Sequence, residues 1–266
     1  MKAIKYKNSL LYKISGNGSV KPSYLLGTMH LVCAKEFQFK KKIESAISKC
    51  NLFYMEVNID DVNEIQLMQE QLPALADFSE ELTENEQEEM NQLLQNQFDF
   101  SLQEAKESSP IELMNRMIVD AIDCDDKKSV EHELLKIARE KGLTTGGLET
   151  ALQQIKIAQK VFTGKELLHQ LKSAEDYKEI FKRIMNAYNA ENMQELAALV
   201  ANEDFMSERA SHILVNERNR RWVKVISKLV EKSSAFIAVG AGHLPGNQGL
   251  IQLIKDKGYA INPVYR

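Results

Sequence analysis

Two segments place a histidine three residues after a glycine, behind an apolar run: Tyr24-Leu25-Leu26-Gly27-Thr28-Met29-His30-Leu31 and Ile237-Ala238-Val239-Gly240-Ala241-Gly242-His243-Leu244. With 12 glycines and 5 histidines in 266 residues, composition alone yields roughly 0.2 Gly-x-x-His matches. Two behind apolar strands therefore point to a shared task. A glycine lets the backbone turn sharply as it leaves a strand, which projects the histidine over the carboxyl edge of a sheet, where it serves as metal ligand or general base. Glu56 and Glu149 occupy equivalent places, each just past an apolar strand. Two imidazoles with one or two carboxylates form an N/O donor set suited to manganese, cobalt or zinc, with a carboxylate left to take a proton from bound water. Each glutamate taken alone also reads as an acid at a helix N-terminus, facing the macrodipole.

The elements that must position these groups divide along the chain. The ends read as strands and turns and the middle as helices. Residues 9–15 alternate apolar and polar, Gly16-Asn17-Gly18 supplies a turn, and an apolar run resumes at 23–26, a β-hairpin pattern. A helical spacing over 37–50 leads to the short strand Leu52-Phe53-Tyr54-Met55, which ends at Glu56. Residues 77–112 hold eleven acidic side chains against one lysine, Lys106, and read as solvated helical faces with a start at Ser109-Pro110-Ile111-Glu112. A strand over 143–148 ends on Glu149. Residues 235–239, 247–257 and 259–264 read as strand, helix and strand. The expected fold is a single α/β domain over 1–266 with a mixed sheet and right-handed crossovers, covered by helical regions at about 60–140 and 151–232. On a helix from about 207 to 232, Leu214, Val215, Trp222, Val225, Ile226 and Leu229 share one face at 100° per residue, with Arg218 in its middle. A buried arginine needs a carboxylate or an anionic ligand, and Glu56, Glu149 and a substrate carboxylate are the candidates; a snorkelling arginine at the core's edge is the bland reading.

The remaining features carry less. Asp120, Asp123, Asp125 and Asp126 cluster after a helix and read as a solvated loop rather than a cation site. His132, His169 and His212 read as ordinary surface or structural residues. Cys33, Cys50 and Cys124 are odd in number, form no CxxC pair and read as buried free thiols. Formal charge is −4, so no global positive field gathers nucleic acid. No stretch is long and apolar enough to span a bilayer. The basic N-terminus lacks a signal-peptide core, so the sequence as it stands suits the cytoplasm, or export if a signal was removed. No dinucleotide, P-loop or nucleophile-elbow fingerprint occurs.

In order along the chain, Leu25-Leu26-Gly27-Thr28-Met29-His30, the strand ending at Glu56, Gly147-Leu148-Glu149-Thr150, Asn216-Glu217-Arg218-Asn219-Arg220-Arg221-Trp222 and Val239-Gly240-Ala241-Gly242-His243-Leu244-Pro245-Gly246 resemble the TraB/GumN family. The resemblance spans about residues 9–266 and implies an α/β fold in which two sheet halves contribute one Gly-x-x-His each, related to the erythromycin esterase and ChaN-like haem-binding folds. Its Tiki branch comprises metal-dependent proteases acting on Wnt proteins, with manganese or cobalt. Other branches are linked to peptide-pheromone shutdown or polysaccharide gene clusters. Many relatives are exported or membrane-anchored, and this sequence shows neither feature. By position, the resemblance implies His30 and His243 as the central pair, with Glu56, Glu149 and Arg218 completing the site. The resulting expectation is a metallopeptidase-type hydrolase with a peptide or protein substrate: His30, His243 and Glu56 on a divalent ion, Glu56 or Glu149 as general base, and Arg218 orienting a glutamate or stabilising developing charge. A peptide-binding protein without turnover is the principal alternative, and a haem or metal carrier a third.

Overall fold

A computed structural model describes residues 5–35, 37–71, 78–106, 110–122, 124–172, 174–203 and 206–265. The apolar runs at the two ends of the chain become neighbouring strands. Among the described residues the strands are β1 (Leu11–Ser15), β2 (Ser23–Thr28), β3 (Val32–Cys33), β4 (Leu52–Met55), β5 (Lys127–Lys128), β6 (Thr144–Gly147), β7 (Ala235–Gly240) and β8 (Ala260–Pro263). Six of them form one mixed sheet in the order β6-β4-β7-β2-β1-β8. β6, β4, β7 and β2 run parallel, while β1 is antiparallel to both β2 and β8. The hairpin turn at 16–18 uses left-handed backbone at Gly16, Asn17 and Gly18, the conformation these residue types tolerate. β2 is buried along its whole length and β7 up to Gly240, as strands covered on both faces require.

Because β6, β4, β7 and β2 are parallel, their carboxyl ends share one edge of the sheet. Glu149, Glu56, His243 and His30 follow those four strands in that spatial order. β2 and β7 are paired with Gly27 opposite Val239 and Thr28 opposite Gly240, so the two Gly-x-x-His turns leave the sheet side by side. The glycines serve close packing rather than an unusual turn. Neither motif glycine has positive φ, and a Cβ on Gly27 would lie 2.7 Å from Leu244 Cδ1 and 3.1 Å from Ala241 Cα. The first motif thus packs directly on the second. Gly27→Ala is expected to cost about 1–3 kcal/mol in urea denaturation, because Ala241 is backbone-anchored and cannot yield as a flexible side chain would. A loss under ~0.5 kcal/mol would show that the turns separate freely.

The helical middle has its own packing. Met90, Leu94, Phe98, Leu113, Met117, Leu167 and Leu171 belong to a second apolar cluster apart from the core around the sheet. The acidic stretch forms the helix Glu84–Phe98, opened by a Thr83/Glu86 capping box, so its charge lies on a helix face with one apolar stripe inside. The helix expected at 109–112 begins at Pro110; Ser109 and Asp123 lie outside the described residues. No helix among the described residues is long and apolar enough to cross a membrane.

Two further expectations require correction. Cys33 and Cys124 are joined by a disulfide across 91 residues, and only Cys50 is a buried free thiol. The pairing is invisible in the spacing because β3 and β5 meet only through the tertiary fold, with Cys33 opposite Lys127. The long helix near the C-terminus is also not uniform. It runs as Glu208–Ser211, a π-helical turn His212–Glu217 and an α-helix Arg218–Lys232. The π turn rotates the preceding residues, so Leu214 and Val215 are only half-buried, and the buried face is Arg218, Asn219, Trp222, Val223, Ile226 and Val230. Arg218 nonetheless lies on it, as expected.

Candidate functional site

Four of the five expected residues form one buried network at the carboxyl edge of the sheet. Arg218 lies at its centre. Its Nε donates to Glu149 Oε1 at 2.9 Å, one terminal nitrogen donates to Glu149 Oε1 at 2.7 Å and Glu56 Oε2 at 2.5 Å, and the other donates to Leu214 O at 3.2 Å and lies 3.3 Å from His243 Nε2. All five N–H groups of a guanidinium are thereby used. Glu149 is further tied by Arg221 at 3.5 Å, and its own N–H donates to Glu56 O at 2.9 Å. This seats Arg218 as the shared hydrogen-bond partner of two glutamates. Stabilising charge developing on a substrate would require it to release one of these partners.

Glu56 sits directly after β4, and its Oε1 accepts from the Gly240 N–H at 2.8 Å, one rung into the second motif. Burial alone would raise its pKa, but Arg218, then His243, His30 and the Gly240 N–H, outweigh burial and hold the carboxyl well below the usual range. Glu56 is therefore ionised throughout the physiological range. Desolvation by burial dominates at His243, with Arg218 acting in the same direction and Glu56 opposing, and lowers its pKa to about 3. The imidazole is neutral. Its Nδ1 lies 2.8 Å from Asn219 Oδ1, while Asn219 Nδ2 donates to His243 O and Gln248 O. With the amide nitrogen committed to those carbonyls, Nδ1 carries the proton and Nε2 keeps its lone pair. That lone pair faces Arg218 and lies 3.7 Å from Glu56 Oε1. The ring is braced by Trp222, 4.5 Å between centroids, and Trp222 also lies 4.4 Å below the Arg218 guanidinium carbon.

His30 stands apart. Its side chain is 69% exposed and its Nδ1 is 3.3 Å from Glu131 Oε1. That hydrogen bond, with further attraction from Glu131 and Glu56, raises the His30 pKa. The Glu131 carboxylate is fixed by Thr28 Oγ1 at 2.7 Å and Ser129 Oγ at 3.3 Å. The two histidines are thus driven in opposite directions, one neutral and enclosed, the other protonated and open. Such divergence separates base from acid in hydrolytic sites.

Asn219 and Glu131 are the site residues that sequence reasoning did not single out. Asn219 stands beside Arg218 in the run from Asn216 to Trp222, and adjacency to a misplaced charge was its only signal. Glu131 lies beside His132, whose exposed side chain takes no part here. The other histidines are peripheral: His169 bonds Glu203 O, and His212 lies 3.7 Å from Glu217, both exposed. Asp125 and Asp126 are exposed too. Among the described residues no group of three or more His, Cys, Asp or Glu is gathered for a metal ion.

The His243 shift has a sign that stability can report. Its pKa falls from 6.5 unfolded to about 3 folded, so stability is full above pH 6.5 and is lost as pH falls through that window, where the unfolded chain takes up a proton that the folded chain refuses. About 1.5–2 kcal/mol should disappear between pH 6.5 and 5. Urea titrations at several pH values should show this slope reduced in His243→Gln. An unchanged slope would mean that the imidazole is not enclosed.

Fold and site together define an α/β protein with a buried carboxylate–guanidinium–imidazole network at the carboxyl edge of a mixed sheet, flanked by an exposed second histidine. The chain belongs to the TraB/PrgY/gumN family, whose sequence model matches residues 10–263. Neither a curated protein nor a solved structure matches it.

Proposed function

We propose that the chain is a metal-dependent hydrolase, a metallopeptidase, acting over the carboxyl ends of β4, β7 and β2. The observation that carries this reading is the enclosed neutral His243, with its Nε2 lone pair set 3.7 Å from an ionised Glu56. The donor chemistry suits an ion. Each imidazole has Nδ1 engaged by a protein partner, Asn219 for His243 and Glu131 for His30, so Nε2 is the atom that would ligate an ion, the arrangement usual for metal-binding histidine, on His243 once the Arg218 contact there is given up. The separation of Glu56 and His243 also lies within the ~4.2 Å spanned by two metal–ligand bonds of ~2.1 Å each. Their present spacing gathers two donors, and His30 would be the third.

A divalent ion there would polarise a scissile carbonyl and acidify bound water. The chain's own residues do the rest. Glu56 offers Oε1, the oxygen not bound to Arg218, either to the ion or, with the ion on the imidazoles alone, to the proton of the attacking water. Arg218 keeps Glu56 ionised and holds both Glu56 and Glu149 in line. His30, protonated against Glu131, supplies a proton to a departing amine, or exchanges that proton for the ion, so metal loading should strengthen as pH rises. A peptide bond as the substrate rests on the resemblance to the Tiki branch. One observation favours a binder without turnover: Arg218 already lies against the His243 lone pair.

Elemental analysis after manganese, cobalt or zinc loading and desalting, beside the His30→Ala/His243→Ala variant, tests the reading together with mass spectrometry of an incubated peptide library. Stoichiometric metal lost in the variant, with cleavage by the parent, supports it. Unchanged metal content in the variant overturns it, and peptide affinity without cleavage under any ion leaves the binder.

A further inference from the structure

We infer that the Cys33–Cys124 disulfide is the clamp that presents His30 to Glu131, so that the position of His30 depends on the oxidation state of this cysteine pair. As a control of turnover this rests on the hydrolase reading; as a statement about where His30 sits it does not.

The register shows how the clamp works. Val32 pairs with Lys128 and Cys33 with Lys127 in the antiparallel ladder of β3 and β5. Continued two residues towards His30, the same register reaches 130, adjacent to Glu131. The ladder carries His30 and Glu131 towards each other from segments about one hundred residues apart, and the disulfide locks its open end. A two-residue ladder is too short to persist alone in water. Besides the disulfide, it is extended across the two segments by the Ala34 N–H bond to Asp126 O at 2.9 Å, while Lys127 Nζ bonds Cys124 O at 2.5 Å within its own segment.

The two sides of the clamp are unequally anchored. Glu131 belongs to the helix Val130–Glu140, whose Val130, Leu134 and Ala138 are fully buried. That helix holds its place through its own packing. Met29, His30 and Leu31 lie between β2 and β3 with none of the three buried, and although Val32 is buried and Met29 packs against the core, the His30 ring has no packing of its own, so loss of the clamp frees the histidine ring and leaves the carboxylate where it is. Both cysteines are half-buried, within reach of a small thiol. A dithiol reduces the bond by exchange: its two sulfurs end as a disulfide, and Cys33 and Cys124 each gain one hydrogen as thiols. Thr28 then still donates to Glu131, and only the His30 partner is lost.

The experiment uses the full chain, metal-free and without substrate, so its result is independent of whether the protein is a hydrolase. His30 ring signals and backbone amide exchange are followed by NMR in the oxidised chain, the chain reduced with dithiothreitol, Cys33→Ser/Cys124→Ser, and Glu131→Gln as the reference for an unpaired His30. On reduction the His30 signals should move to those of Glu131→Gln and the β3–β5 amides should exchange at least ~10-fold faster, while β7 amides change less than ~2-fold. His30 signals that stay at their oxidised positions overturn the proposal. So does loss of protection in β7 along with the ladder, since the disulfide would then be a staple of the whole fold rather than a clamp on one histidine.

Discussion

Arg218→Met is expected to destabilise the protein by about 3–5 kcal/mol, the cost of leaving buried charge without its partner. The size follows from the environment. Arg218 is 6% exposed, the Glu149 side chain 1% and the Glu56 side chain 12%. Removing the guanidinium leaves the Glu56 and Glu149 carboxyl groups in the same enclosed space without the group that bonds both, and Arg221, at 3.5 Å, reaches only Glu149. Methionine fills much of the volume, so the loss reports charge rather than a cavity. Arg218→Lys should recover little, because one ammonium cannot reach Glu56, Glu149, Leu214 O and His243 in the planar geometry of five N–H groups. Arg218→Met/Glu149→Gln should regain part of the loss, because only the Glu56 carboxylate is then left without its guanidinium partner. Chemical denaturation of the three variants decides the matter, and a single-variant cost below ~1 kcal/mol would show that water, not Arg218, neutralises the pair.

On the proposed reading His243→Gln is expected to lower kcat by roughly 10²-fold or more, since the outer partners of a metal ligand alone are worth about 10–100-fold and His243 would be the ligand itself, with KM changed only a few-fold. The glutamine retains a polar side chain beside Asn219 but offers no imidazole lone pair to the space facing Glu56. On the proposed reading the same variant loses stoichiometric metal. The measurement is steady-state kinetics on whichever peptide the library identifies, with thermal unfolding above pH 6.5 as the control for folding. A variant within tenfold of the parent would remove His243 from the chemistry and place the weight on His30 and Glu131.

The parts of this protein legible in its sequence share one property: they are local. An apolar run followed by Gly-x-x-His states within eight residues both the strand and what leaves its end, and Leu52–Met55 before Glu56 does the same. Arg218 was legible because a charge on an apolar helical stripe must find a partner. Even there the π-helical turn before it escaped a reading at 100° per residue, since one extra residue per turn leaves no mark in composition.

What the sequence by itself determined is therefore the set of strand ends, the family resemblance and the chemical types at the site. Tertiary structure alone decided how they are shared out. It placed Glu56, Glu149, Arg218 and His243 in one enclosed network and left His30 outside, on Glu131. It assigned Asn219 to the proton of His243, used every donor of Arg218, and joined Cys33 to Cys124. It also gave the motif glycines a packing role in place of a turning one, because only assembly brings Ala241 against Gly27. The physical reason is the same in each case: pairing, desolvation and hydrogen-bond saturation belong to groups brought together from distant parts of the chain, and no single segment contains both partners.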